Sequence, residues 1–187
     1  MTKSQDKSRF LQSHCVELYE AFEENGYLYS SSELCENGNL QQWMDTRGPL
    51  SPEELSLLVF QMSKSLVEVH DTGLLHMDVK PANFLVKADN TIKLGDFGNC
   101  FAPSGVELKD YPRLVDEGDC VYLAPEVLNL ECEFGPKVDS FSLGLSILEL
   151  LVGFGLPKNG PTWERLRNER PSLVYAKHLS HLDNNNL

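Results

Sequence analysis

"HMDVKPANF", residues 76–84, places Asp78, Lys80 and Asn83 in one short loop between apolar neighbours. The stretch that follows, "FLVKADNTIKL" (84–94), reads as a small hairpin turning at Asp89-Asn90, residue types that favour turns. A hairpin carries its flanks back together, so Asn83 and Asp96 are expected to lie near each other. An amide carbonyl and a carboxylate are oxygen donors suited to Mg²⁺ held against phosphates. Asp78, five residues before Asn83, is placed to accept a proton from an attacking hydroxyl. Lys80 is placed to neutralise charge on a transferring phosphoryl group.

Outward from this loop the chain alternates strand and helix signals. "CVELYEAFEENGYLYSSSEL" (15–34) reads as two strands joined at Asn25-Gly26, a strong hairpin turn signal. "CENGNLQQWMDTRG" (35–48) reads as a loop and a short helical turn. "SPEELSLLVFQMSKSLVEVH" (51–70) carries a full helix start. Ser51 is the N-cap, Pro52 the first helical residue, and Glu54 completes a capping box. Leu55, Leu58, Val59, Met62, Leu66 and Val69 then form an apolar stripe at helical spacing. Gly73 is the expected stop. Residues 98–120 read as a long polar loop. Asp139 is expected to cap and begin an apolar helix. "GFGLPKNGPT" (153–162) reads as a helix exit and loop, and after Pro157 the periodic signal fades.

The 187 residues, 41% hydrophobic, suit one domain or a large piece of one. With 28 Asp+Glu against 16 Lys+Arg the net charge is −12, which argues against nucleic acid and anionic lipid as partners. ATP remains compatible, because Mg²⁺ mediates phosphate binding at acidic sites. Five cysteines, with no C-x-x-C pair, read as reduced thiols of the nucleus or cytoplasm. The longest apolar run, 141–156, is too short for a membrane span and contains Glu149.

Three motifs in order carry a resemblance. "HMDVKPAN" resembles the protein-kinase catalytic loop, "GDFG" (95–98) its Mg-binding segment, and "LAPE" (123–126) its A-P-E segment. Together with "EGDCVYLAPEVL" and "DSFSLGLSILEL" they are similar to the Wee/Myt family, whose members phosphorylate and inhibit cyclin-dependent kinases. The likeness covers roughly residues 14–168. It implies an α+β, protein-kinase-like fold, mostly the helical large lobe with a remnant small-lobe hairpin. The segments expected are 1–14 (N-terminal), 15–35 (remnant hairpin and hinge), 36–170 (incomplete large lobe) and 171–187 (divergent tail).

Carried over by position, the resemblance implies Asp78 as base and Lys80 as phosphate-contacting lysine, with Asn83 and Asp96 as Mg²⁺ ligands. It implies Ser32 at the back of the ATP pocket, the backbone of Glu33 and Cys35 against adenine, Leu85 as pocket floor, and Asp139 as a brace for the loop. The expected partner is a protein substrate, a cyclin-dependent kinase among the candidates. The pattern departs at Met77, where many kinases have an Arg that pairs with a phosphorylated loop. Activity is therefore expected not to depend on loop phosphorylation through this pocket. The Gly-rich loop and the ATP-contacting strand Lys find no match, and neither does the Arg that pairs with the A-P-E Glu, here Glu126. The chain reads as a kinase domain cut at both ends. The alternative is a pseudokinase-like fragment that binds a partner without catalysis.

Overall fold

A computed structural model describes residues 13–48, 50–103, 119–129, 135–153 and 155–168. The expected tail at 171–187, most of the N-terminal segment, and Glu117 and Gly118 lie outside the described residues. The contacts divide into two compact units that interleave in sequence. One holds Met1–Thr72 with Ala82–Gly95, the other Gly73–Pro81 with Asp96–Leu187.

The first unit opens with a hairpin, β1 (Leu18–Glu24) and β2 (Tyr27–Ser32), paired antiparallel. Asn25 and Gly26 both take positive φ, 54° and 78°, which is the turn this hairpin needs and the reason that pair stands there. Phe22 and Tyr29, opposite each other, stack with centroids 5.2 Å apart. Helix α1 (Leu40–Asp45) follows, with Asn39 and Gln42 forming its capping box. Helix α2 (Pro52–Asp71) starts as its sequence specifies: Ser51 Oγ accepts from the Glu54 N–H at 3.2 Å and Glu54 Oε2 accepts from the Ser51 N–H at 2.8 Å. Replacing Ser51 with Ala should cost about 1 kcal/mol. The measurement is a lower denaturation midpoint at unchanged slope; an unmoved midpoint would mean the cap is idle.

The buried face of α2, with Leu58, Met62, Leu66 and Val69, packs on the small hairpin β3 (Phe84–Val86) and β4 (Ile92–Leu94). Gln61 Oε1 accepts from the Ile92 N–H at 2.9 Å, so a polar group on this face completes the strand edge. Phe84, Val86 and Leu94 are fully buried. The segment before β1 joins the same strand: Val16 N–H donates to Leu94 O, and Leu94 N–H to His14 O. Arg47 sits 4.2 Å over the Trp43 ring and pairs with Glu54 at 2.6 Å.

The second unit contains the short α3 (Pro125–Leu128), the apolar α4 (Lys137–Val152) and α5 (Pro161–Asn168). One apolar cluster gathers Leu75, Met77, Phe101, Leu123, Val127 and Val138. Another gathers Val121, Leu145, Leu156 and Leu166. Gly153, at φ 69°, ends α4 in the left-handed conformation that glycine favours. Two expectations are corrected. Helix α4 begins at Lys137 after Pro136, so Asp139 is inside the first turn and is not its cap. The stretch after Pro157 is not featureless, because Gly160-Pro161 opens α5.

Candidate active site

The loop 76–80 is held from below by α4. The Asp139 carboxylate, 1% exposed, accepts the His76 N–H at 2.8 Å on one oxygen and the Met77 N–H at 2.9 Å on the other. This explains why Asp139 is buried instead of capping. Its two oxygens satisfy two backbone donors that have no ladder to join. Met77 has φ 65°, a left-handed conformation that is strained for a non-glycine residue. The Asp139 bridge and the burial of the Met77 side chain hold it there. That side chain lies in an apolar cluster with Leu75, Phe101 and Val138, so the position that carries an Arg in many kinases here fills the core. His76 is fully buried, as a structural residue. Its Nδ1 accepts from the Asp78 N–H at 3.3 Å, and its ring meets the edge of Phe97 at 5.3 Å. Ser146 on α4 donates to the Val79 carbonyl at 3.4 Å.

Asp78 emerges from this brace only 8% exposed, with Lys80 Nζ 2.9 Å from its Oδ2. A carboxylate and an ammonium thus share the mouth of one loop. One can accept a proton and the other can stabilise developing negative charge. Asp96, exposed, takes the left-handed conformation at φ 58° and ψ 70° and caps a tight turn by accepting from the Gly98 N–H at 3.5 Å. The surroundings are electronegative. Burial, then the charges of Asp139 and Asp96, push the Cys100 thiol up to about 11, which leaves it inert at neutral pH.

Tyr122 is a neighbour that sequence reasoning did not single out. Burial pushes its hydroxyl above the ordinary range, helped by its hydrogen bond to Glu149 and by the charges of Glu149, Asp119 and Asp78. Glu149 is the acidic residue inside the apolar run, and it is buried on α4 with the Tyr122 hydroxyl donating to Oε2. A charged residue at a buried helical position was the available signal that a polar partner exists.

The remaining expected residues belong to the first unit. Asn83 is 7% exposed at the start of β3, and its carbonyl accepts the Gly95 N–H at 2.9 Å. A Cβ at Gly95 would meet Val16 Cγ2 at 3.2 Å, so a side chain here would need Val16 to give way by a few tenths of an ångström. Leu85 is half-buried on β3, opposite Lys93. Ser32 ends β2 and is exposed. Glu33 is fixed by an ion network, with Lys93 at 2.9 Å and Lys87 at 3.2 Å, and Oε1 accepts the Glu17 N–H at 2.9 Å. Burial opposes ionisation, yet the bonds from Lys93, the Glu17 backbone and Lys87 hold its carboxyl below the ordinary range. The Glu33 N–H donates to Glu17 O, and the Cys35 carbonyl accepts from the Gly38 N–H. Of the backbone groups of Glu33 and Cys35, the Glu33 carbonyl and the Cys35 N–H take no part in these two bonds.

The sequence pattern described as the protein kinase domain matches residues 4–180. The chain is similar to the mitosis inhibitor protein kinase wee1 of Schizosaccharomyces pombe, 39% identical over 181 residues, covering 91% of this chain and 19% of that protein. It is also similar to the membrane-associated tyrosine- and threonine-specific cdc2-inhibitory kinase wee-1.3 of Caenorhabditis briggsae, 35% identical over 88% of this chain and 26% of that protein. The mitosis inhibitor protein kinase SWE1 of Saccharomyces cerevisiae is 36% identical over 78% of this chain and 18% of that protein. The chain thus spans well under half the length of these curated relatives.

Proposed function

The chain belongs to the protein kinase family, on its Wee-like side, and from that premise we propose that it transfers the γ-phosphate of ATP to a protein hydroxyl. The observation that carries the proposal is the Asp78–Lys80 pair at 2.9 Å, on a loop whose strained backbone the Asp139 carboxylate holds. Phosphoryl transfer depends on positioning and charge stabilisation more than on covalent chemistry by the protein. A pre-fixed base next to a fixed ammonium is what such a reaction asks of a loop.

In this reading Asp78 accepts the proton of the acceptor hydroxyl at its carboxylate, and Lys80 stabilises negative charge on the group in transfer. Asn83 in the first unit and Asp96 in the second each carry a hard oxygen donor of the kind Mg²⁺ takes, and Mg²⁺ would neutralise phosphate charge. The Glu33 carbonyl and the Cys35 N–H would offer one acceptor and one donor to adenine, with Ser32 as the small residue at the back of the pocket and Leu85 as its floor. The finer assignment, to an inhibitor of a cyclin-dependent kinase in cell-cycle control, is supported by the relatives' descriptions as mitosis inhibitors and as a cdc2-inhibitory kinase. Four cysteines are free thiols, which suits a nuclear or cytoplasmic setting, and Cys132 lies outside the described residues. Among the described residues no helix is long and apolar enough to cross a membrane.

Thermal stabilisation by ATP tests the nucleotide half of the proposal. ATP with Mg²⁺ is expected to raise Tm, as any ligand bound only by the folded state does. Asp96→Ala is expected to remove the Mg²⁺-dependent part. A folded chain that ATP and Mg²⁺ do not stabilise would overturn the assignment.

A further inference from the structure

Within the second unit, the turn Asp119–Ala124 is tied to two helices by its own backbone. Asp119 starts it, accepting from the N–H groups of Val121, Tyr122 and Leu123. From α4, Ser142 Oγ donates to the Tyr122 carbonyl at 2.9 Å. From α5, the Arg167 guanidinium donates to the carbonyls of Cys120 at 2.7 Å and Val121 at 2.9 Å. Trp163 Nε1 donates to the same Cys120 carbonyl at 3.1 Å, and the Arg167 guanidinium lies 3.8 Å over the Trp163 ring. Leu166, 2% exposed, seats α5 against Val121 and Leu145.

This arrangement is costly for a merely stabilising contact. Burial lowers the Arg167 pKa to about 10, and its buried Nε–H has no hydrogen-bond partner among the described residues. An unsatisfied buried donor and a partly desolvated charge both oppose folding. The turn that Arg167 grips also has a position of consequence. Ser146 Oγ lies within hydrogen-bond distance of the Val79 carbonyl, next to Asp78, and of the Ser142 carbonyl, while Ser142 holds the Tyr122 carbonyl and Leu123 shares an apolar cluster with Met77, so the turn borders the loop of the candidate base.

We propose that Arg167 and Trp163 are positioning residues for the protein acceptor: they hold the Cys120–Tyr122 turn as the wall beside Asp78 along which the acceptor hydroxyl reaches the base. The inference rests on the phosphoryl-transfer reading above and deepens it. Neither residue touches the reacting atoms. They act through the carbonyls of Cys120 and Val121, and so through the placing of Tyr122. Loosening the turn should weaken acceptor binding while leaving ATP binding and the chemical step intact.

The test is initial-rate kinetics of the full chain with myelin basic protein as acceptor probe, varying acceptor and ATP in turn. Arg167→Ala is expected to raise KM for the acceptor roughly tenfold, with kcat and KM for ATP within about twofold, the pattern of lost uniform binding. Arg167→Lys, which keeps a cation able to reach a carbonyl, should recover most of the loss. Trp163→Phe, which removes one donor and keeps the ring, should raise the acceptor KM less. If Arg167→Ala does not fold, the Lys and Phe variants carry the same comparison. Unchanged acceptor KM in the folded variants, or a fall in kcat alone, would overturn the inference while wild-type activity leaves the kinase reading standing. A wild-type chain that transfers no phosphate would overturn that reading, and this inference with it.

Discussion

Asp139→Ala is expected to lower the stability of the chain by about 2–5 kcal/mol, because it strands two buried backbone N–H groups at once. The His76 and Met77 amides donate to separate oxygens of this carboxylate, at 2.8 and 2.9 Å. With the carboxylate gone, only the burial of its side chain still holds Met77 in the left-handed conformation at φ 65°, and the loop should relax toward ordinary geometry. Asp78 would move with it, so phosphate transfer should be lost even in conditions where the variant stays folded. Asp139→Asn keeps one acceptor oxygen and should fall between the two. Denaturant titration measures the first effect and a kinase assay below the transition measures the second. A midpoint equal to wild type would mean the bridge carries no stability and the loop is held by apolar packing alone.

Asp78→Asn should lower phosphate transfer by roughly 10²–10⁴-fold, the usual contribution of a positioned general base. The amide keeps the size and an acceptor oxygen, so the protein should fold. It cannot take the proton, and the attraction to Lys80 at 2.9 Å is lost. ATP-dependent stabilisation should persist, since Asp78 is not assigned to the nucleotide. Activity close to wild type would remove Asp78 from the mechanism and with it the proposed reaction.

Much of the local architecture was legible because it is written in local chemistry. Asn25-Gly26 and Asp89-Asn90 announce their hairpins through backbone conformations that few other residues adopt, and Ser51 with Glu54 announces α2 through reciprocal hydrogen bonds. The loop 76–80 was legible through motif order. What was not legible depends on distant partners. Asp139 was expected to brace the loop, through the resemblance, and also to cap α4; the brace is present, but the cap is not, because the donors it serves are more than sixty residues upstream. Helix α5 is eight residues long and buries Leu166 as its core residue, too little to show a period. Its Pro161 after Gly160 was the signal to read. Tyr122 and Glu149 meet across the fold, and a tyrosine's hydrogen bond leaves no trace in spacing.

The chain has two tryptophans, one in each compact unit: Trp43 in the first and Trp163 in the second. Each lies beneath a guanidinium, Arg47 at 4.2 Å and Arg167 at 3.8 Å. The fold therefore carries two native fluorophores, and a single Trp→Phe exchange silences either one. With Trp163 silenced, emission follows the α1–α2 side; with Trp43 silenced, it follows the α5 contact with the Cys120 turn. Melting curves recorded on the two single-emitter proteins would give each unit its own transition, so one event or two can be distinguished without attaching any label.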